Sequence, residues 1–251
     1  MRLLHSFDDI DITQVRPSVV TVGAFDGVHL GHQQLIRTVV NQAHATGLQS
    51  ALVTFFPNPR VVLGRAPAKY LTLPDEKADV MATLGVDVMV VHTFTQATVQ
   101  TPADQFVQWM VARLGMRSLW IGPDFAMGYK RQGNAHYLMA QGAAHGFAVN
   151  VMPEVSLGAT QISSTRVRDA LARGDIRDAN LCLGRAFSVP ADYDGAHGLC
   201  ASTLHLLPAP GVYPVLIEGE PNAVTITSSP CAFSVRDVLS GEKRAVTVAF
   251  V

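Results

Sequence analysis

Two histidines three residues apart, His29 and His32, stand where an apolar run ends and an amphipathic one begins. At that spacing on a helix both imidazoles face one side, about one turn apart, and can donate hydrogen bonds into one phosphate-sized space. The residues around them read Val20-Thr21-Val22-Gly23-Ala24-Phe25-Asp26-Gly27-Val28-His29-Leu30-Gly31-His32. The front of this stretch is strand-like, and Leu35, Ile36, Val39, Val40 and Ala43 then recur at helical spacing. A strand that turns directly into a helix leaves N–H groups unpaired at the helix start, where an anion is held. Gly23 and Gly27 are expected to supply φ values that other residues resist, and Gly31 to keep the helix start open to a ligand. The pattern is that of a nucleotide site with neither a Walker loop nor a dinucleotide GxGxxG.

A second set of candidates is Ile162-Ser163-Ser164-Thr165-Arg166-Val167-Arg168. Its three hydroxyls precede a helix expected to run towards Arg173 and stop at Gly174, and any of them would cap it. Arg168 falls in the first turn, where a planar guanidinium can clamp a pyrophosphate beside the same free N–H groups.

These residues need a scaffold, and the spacing predicts one. Strand-like runs at 50–55, 86–91, 118–122 and 148–152 alternate with helical patterns after His32, from Pro74 to Gly85, from Pro102 to Leu114 and from Ala135 to His145. Such alternation implies a parallel sheet with helices on both faces, and ligands bind beyond the carboxyl ends of its strands. Residues 23–32, 55–60 and 122–133 all follow strands, so they should meet at one edge. Pro57 and Pro59 are expected to exclude any regular element from 55–60, and Thr101 to cap the helix that Pro102 begins. From Ala186 onward the composition changes to short β-like runs, prolines and turns, which divides the chain into 1–185 and a small β-rich domain at 186–251.

Gly-x-Phe-Asp-Gly-x-His-x-Gly-His resembles the HxGH motif of the nucleotidyltransferase superfamily. In this extended form it is similar to the adenylyltransferase half of bacterial bifunctional riboflavin kinase/FMN adenylyltransferases (FAD synthetases). The Ile162–Arg168 segment resembles that family's Ile-Ser-Ser-Thr-x-Ile/Val-Arg, which is similar to a triphosphate-binding signature. Gly174-Asp175, Ala179-Asn180 and Leu183-Gly184-Arg185 resemble its linker helix. Phe55 to Pro59 resembles Phe-x-Pro-His-Pro with Asn58 in place of histidine. Gly122 to Gly128 resembles Gly-x-Asp-Phe-Arg-Phe-Gly, with Ala126 and Met127 replacing arginine and phenylalanine.

The resemblance implies a Rossmann-like nucleotidyltransferase fold and transfer of AMP from ATP to FMN, giving FAD and pyrophosphate. It implies His29, His32 and Arg168 as catalytic residues. Gly23, Phe25, Asp26, Gly31, Ser163, Ser164 and Thr165 would bind the nucleotide, and Pro57, Asn58, Asp124 and Phe125 the flavin. Asp26 is expected to stabilise the turn and the helix start. Mg²⁺ is implied by two polyanions having to meet, with ligands that the sequence does not single out. In the family the tail is a riboflavin kinase barrel that carries Gly-Phe-Pro-Thr-Ala-Asn. Here Gly198-Leu199-Cys200-Ala201-Ser202-Thr203-Leu204 stands in that place. The tail is therefore read as a shortened kinase-like β-domain without kinase activity, about 60 residues being too few for a full barrel plus helix.

Lys and Arg number 19 against 20 Asp and Glu, which leaves no basic surface for nucleic acid. Cys182, Cys200 and Cys231 have no metal spacing, which favours a reducing, cytoplasmic setting. No apolar run approaches the roughly 20 residues needed to cross a bilayer, and the first residues do not read as a signal peptide. The partners expected are ATP and FMN alone; the oligomeric state is not legible. Three alternatives accompany this reading. One is a sister nucleotidyltransferase with another phosphate-bearing acceptor, one an enzyme that keeps both activities, which the missing Gly-Phe-Pro-Thr-Ala-Asn disfavours, and one a non-catalytic regulator that binds flavin or nucleotide.

Overall fold

The computed structural model describes residues 1–158, 160–194, 198–227, 233–235, 239 and 243–251. The chain divides into two compact units. The first holds residues 1–25, 31–68 and 74–155, and the second 26–30, 69–73 and 156–251. Compactness thus breaks the main chain at Val155/Ser156 and not at the composition change near residue 186. The two helices before that change cluster with the β-domain.

In the first unit β1 (Arg2–Leu4), β2 (Ser18–Val22), α1 (Leu30–Ala45), β3 (Gln49–Phe56), α2 (Pro59–Val62), α3 (Pro74–Thr83) and β4 (Val88–Thr93) come first. Then follow α4 (Gln96–Val99), α5 (Ala103–Leu114), β5 (Met116–Ile121), β6 (Ala126–Met127), β7 (Gly133–Asn134), α6 (Ala135–His145) and β8 (Ala148–Val151). Six strands form one sheet in the order β1-β4-β3-β2-β5-β8, parallel at every pairing. Every residue of the central strand β2 is buried. Val19 packs with Val39 and Ala43 of α1. Val20 and Val22 instead join the cluster of Phe106, Val107, Met110 and Leu114 from α5. Alternate residues of one strand therefore bury against helices on opposite faces, as an all-parallel sheet requires.

From β2 the chain proceeds to β3 and β4 on one side, and β5 and β8 lie on the other. The order reverses beside β2, so the switch-point crevice lies at the end of the strand that leads into Gly23. The segments after β2, β3 and β5 leave the same edge, as the strand pattern predicts.

Two local expectations need correction. Residues 59–62 form a short helix: Pro59 occupies its first position, where a missing N–H costs nothing, and the Asn58 side chain accepts from Arg60 N at 2.9 Å. Thr101 does not cap α5; Pro102 holds the cap position without a side-chain bond.

The second unit adds a hairpin of β9 (Ser156–Leu157) and β10 (Thr160–Gln161), then α7 (Ser164–Ala172) and α8 (Ile176–Leu183). Next come β11 (Phe187–Tyr193), β12 (Gly198–Ala201), β13 (Gly211–Ile217), β14 (Glu220–Ile226), β15 (Phe233–Val235) and β16 (Arg244–Phe250). These six close into a barrel in the order β11-β12-β15-β14-β13-β16. The expectation is of a tail too short for a full barrel plus helix; among the described residues it forms a small barrel of short strands. Strands of three to seven residues and a tight Glu218–Gly219 hairpin, both at positive φ, close the ring within 64 residues, 187–250. Phe187, Val189, Ala191 and Tyr193 alternate inward from β11, and Val246, Val248 and Phe250 from β16. Asn180 joins α8 to the barrel, accepting from Phe187 N at 2.7 Å and donating to Phe250 O at 2.9 Å.

Cys182 is buried and Cys200 exposed, both as free thiols, whereas Cys231 lies outside the described residues. Among the described residues no helix is long and apolar enough to cross a membrane.

Candidate active site

In the first unit β2 delivers Gly23, Ala24 and Phe25. Phe25 adopts φ 46°, in the left-handed region that a bulky side chain rarely enters. Its ring meets the His32 imidazole edge-on at 5.2 Å. Gly23 does not use the left-handed region; its missing side chain makes room for that ring, since a Cβ there would stand 3.0 Å from Phe25 Cζ. Lys77 of α3, which sequence reasoning passes over, is 5 % exposed. It donates to Ala24 O at 2.7 Å and to Thr54 Oγ1 at 3.3 Å, while Thr54 donates to the same carbonyl at 3.1 Å. The only signal was a cation in the first turn of a helix otherwise begun by acids.

The flavin-side candidates lie in this unit too. Pro57 follows a cis peptide bond, and Asn58 uses its side-chain oxygen to cap α2. Asp124 is exposed, and its carbonyl accepts from Arg131 at 3.0 Å. Phe125 is half-buried against the sheet core. Their loop is anchored at Gly128 (φ 74°), where a Cβ would lie 2.6 Å from the backbone of Ala103, and by Tyr129 N on Thr101 O at 2.8 Å. Met127, where the family has phenylalanine, is buried.

In the second unit the turn 26–30 is held on several sides. Gly27 (φ 78°) and Val28 (φ 42°) are successive left-handed residues. A β-branched residue there is strained by roughly 1–3 kcal/mol, and such strain gathers at functional turns. The Asp26 carboxylate, 5 % exposed as a residue, accepts from Leu71 N at 2.9 Å and from Arg168 Nη2 at 2.5 Å. Arg168 Nη2 also donates to Lys69 O at 2.7 Å. Gly27 N donates to Thr72 Oγ1 at 3.1 Å, and Ser164 Oγ to Asp26 O at 2.8 Å. Arg185 donates to Gly27 O at 2.8 Å and Val28 O at 3.1 Å. Asp26 does stabilise the turn, but through Leu71 and Arg168 rather than by capping α1.

The three hydroxyls before α7 separate in role. Ser163 caps the helix by accepting from Arg166 N at 3.2 Å, Ser164 ties the turn, and Thr165 is exposed. Arg166 is bound to Asp178 of α8 at 2.6 Å, which locks the two helices together. Both described bonds of Arg168 are made through Nη2.

His29 is 7 % exposed. Burial pulls its pKa down from 6.5 to about 4, the Asp26 carboxylate working against that fall and the Arg185 cation with it. At neutral pH it is an uncharged imidazole with one N–H to donate. Among the described residues no group of three or more His, Cys, Asp and Glu side chains is placed to hold a metal ion.

A sequence-family profile described as FAD synthetase matches residues 11–166. The bifunctional riboflavin kinase/FMN adenylyltransferase of Listeria monocytogenes is 38 % identical over 172 residues, covering 68 % of this chain and 54 % of that protein. The one from Buchnera aphidicola is 30 % identical over 241 residues, covering 90 % of this chain and 75 % of that protein. The aligned stretch spans just over half the length of the relatives from Listeria monocytogenes, Haemophilus influenzae and Pseudomonas fluorescens. A crystal structure titled as a macrolide-efflux protein from Streptococcus pneumoniae shares the fold, with TM-score 0.85 at 22 % identity over 99 % of this chain and 88 % of that one.

Proposed function

Because the chain belongs to the FAD synthetase family, we propose that it is an FMN adenylyltransferase, forming FAD and pyrophosphate from FMN and ATP. The observation that carries this reading is the turn out of β2, which departs from the switch point of a parallel sheet. Phe25, Gly27 and Val28 hold positive φ there, with His29 next in the chain. In the reaction an oxygen of the FMN phosphate forms a bond to the α-phosphorus of ATP while the bond from that phosphorus to the bridging oxygen breaks. Pyrophosphate carries the charge away. No protein nucleophile is needed, so catalysis is alignment plus stabilisation of charge on phosphate oxygens.

In this reading His29 and His32 donate hydrogen bonds to ATP phosphate oxygens as charge moves, His29 as a neutral donor. The N–H groups at the start of α7 and the guanidinium charge of Arg168 hold the β- and γ-phosphates. Asp26 sets the direction of that fork. Pro57, Asn58, Asp124 and Phe125 remain the flavin-side candidates. Mg²⁺ needs no all-protein cage in such a reaction, since one or two carboxylates with phosphates and water suffice. It belongs with ATP as a phosphate-bound counter-ion, and no step is assigned to it.

Riboflavin kinase activity is not part of the proposal. Gly198–Ala201 is barrel wall, and the next residues are taken up by the 69–71 segment. Tyr70 N donates to Leu204 O at 2.8 Å, Leu206 N to Tyr70 O at 2.8 Å, and Lys69 Nζ to Thr203 O at 2.6 Å. A backbone spent in this way has little left to offer a nucleotide. A panel of acceptors with labelled ATP tests the reading: riboflavin, FMN, pantetheine phosphate and nicotinamide mononucleotide. Transfer of the AMP label to FMN alone supports it, and transfer to another acceptor in preference assigns a sister reaction.

A further inference from the structure

We infer that Arg185 is a positioning residue: its guanidinium holds the Gly27–Val28 carbonyls and thereby fixes the left-handed turn that presents His29. The inference deepens the adenylyltransferase reading and rests on it for its catalytic consequence. Arg185 leaves the end of α8 one residue after Gly184, which closes the helix at φ 69°. A Cβ on Gly184 would stand 2.4 Å from Leu30 Cδ2, so this corner abuts the first residue of α1 and a larger residue would displace that side chain. Leu183 of the same corner lies 3.4 Å from where a Gly27 Cβ would be. From this base the fork of Arg185 reaches two consecutive carbonyls, Nη2 to Gly27 O at 2.8 Å and Nη1 to Val28 O at 3.1 Å.

The geometry explains why the residue is an arginine. The two end N–H groups of a planar fork meet two neighbouring carbonyls at once, Gly27 O through Nη2 and Val28 O through Nη1. If Val28 relaxed to the right-handed region its carbonyl would swing away and one bond would be lost. Arg185 therefore favours the strained state of Val28 over the relaxed one. Lysine, whose three donors rotate on a flexible stem, has no rigid fork with which to discriminate in that way. His29 follows directly, so its imidazole direction is set by the φ and ψ of Val28. The Arg185 charge also acts on His29, helping to keep the imidazole neutral.

The test uses the full chain with Arg185→Ala and Arg185→Lys, and two readouts. In the first, hydrogen exchange of a peptide covering 26–30 should speed up about tenfold or more in Arg185→Ala, with α7 and the barrel strands unchanged, because the opening is local. Arg185→Lys should lie between that variant and the parent. In the second, kcat for FAD formation should fall about 10–100-fold in both variants, while KM for ATP changes by less than about threefold, as expected for a misplaced donor. Millimolar guanidinium should restore part of the loss in Arg185→Ala, and equimolar ammonium should not. Unchanged exchange at 26–30 overturns the inference whatever the activity. So does faster exchange throughout the second unit, which would make Arg185 general scaffold. If the parent chain forms no FAD, the adenylyltransferase reading fails, and the exchange result alone still decides whether Arg185 holds the turn.

Discussion

Replacing His29 by glutamine should remove most of an acid-dependent loss of stability that the parent shows. The buried imidazole has its pKa pulled from 6.5 to about 4, chiefly by burial. In the unfolded chain it returns to its ordinary value. Between those two values the unfolded state binds one more proton than the folded state, so stability rises with pH across that window. The contribution is complete above about pH 6.5, shrinks as pH falls, and is gone near pH 4. A gap of about 2.5 pH units at ~1.4 kcal/mol each corresponds to about 3 kcal/mol in total, or roughly 1.4 kcal/mol per pH unit inside the window. His92, which burial also pulls down, acts in the same direction but is present in both proteins and cancels in the difference. Urea unfolding followed by circular dichroism at half-unit steps from pH 4 to 7.5 gives the required curves for parent and His29→Gln. The parent should lose about 3 kcal/mol more than the variant over that range. Parallel curves would show that His29 titrates in the folded chain as it does in water, and would remove both its burial and its role as a neutral donor.

Other consequences follow from the same contacts. Asp26→Asn keeps an acceptor for Leu71 N but loses the charge-assisted bond to the partly exposed Arg168, and should cost about 1–2 kcal/mol in urea unfolding. Asp26→Ala also strands a backbone N–H and should cost about 3 kcal/mol; a cost below about 0.5 for both would remove Asp26 as a support of the turn. His29→Ala and His32→Ala should each lower turnover by on the order of 10²–10³ while the folded fraction stays near the parent's, and near-parent turnover in both would make the histidines structural. The intact chain should yield no FMN from riboflavin and Mg-ATP; FMN in the product would place a kinase site on residues assigned here to barrel wall and bracing.

What could be read from the sequence was whatever depends on local periodicity. α1 shows its buried residues at helical spacing, and α6 begins and ends where its pattern does because Asn134 caps one end and Gly146 the other. The parallel sheet followed from strands and helices alternating. Short edge elements escaped for a physical reason: β1 is three residues of mixed polarity that pair only with β4, so it carries no alternation to detect. α2 was hidden because a proline pair reads as a breaker unless the second proline sits at the first helical position. Barrel closure depends on register among β11, β13 and β16, which no single strand encodes.

At the site, the residue types of the histidine turn were legible, but its supports were not. Arg185 meets Gly27 and Val28 across some 157 residues of chain, and Lys77 meets Ala24 across 53. Lys77 shows locally only as a cation in a first turn otherwise begun by acids and Arg185 only as part of a Leu-Gly-Arg segment, and neither signal names its partner. Gly23 shows the converse error. Its presence was legible and its reason was not, since it serves the Phe25 ring and not a positive φ.

The histidine turn is proposed to serve adenylyl transfer to FMN. The most direct measurement is chromatographic separation of flavins, with mass identification, after incubation of the intact folded chain with FMN and Mg-ATP, run beside His32→Ala under the same conditions. The parent should give stoichiometric FAD and pyrophosphate, and the variant a rate lower by on the order of 10²–10³. FMN left unchanged by the parent at saturating Mg-ATP, or FAD formed equally fast by both proteins, would contradict that role.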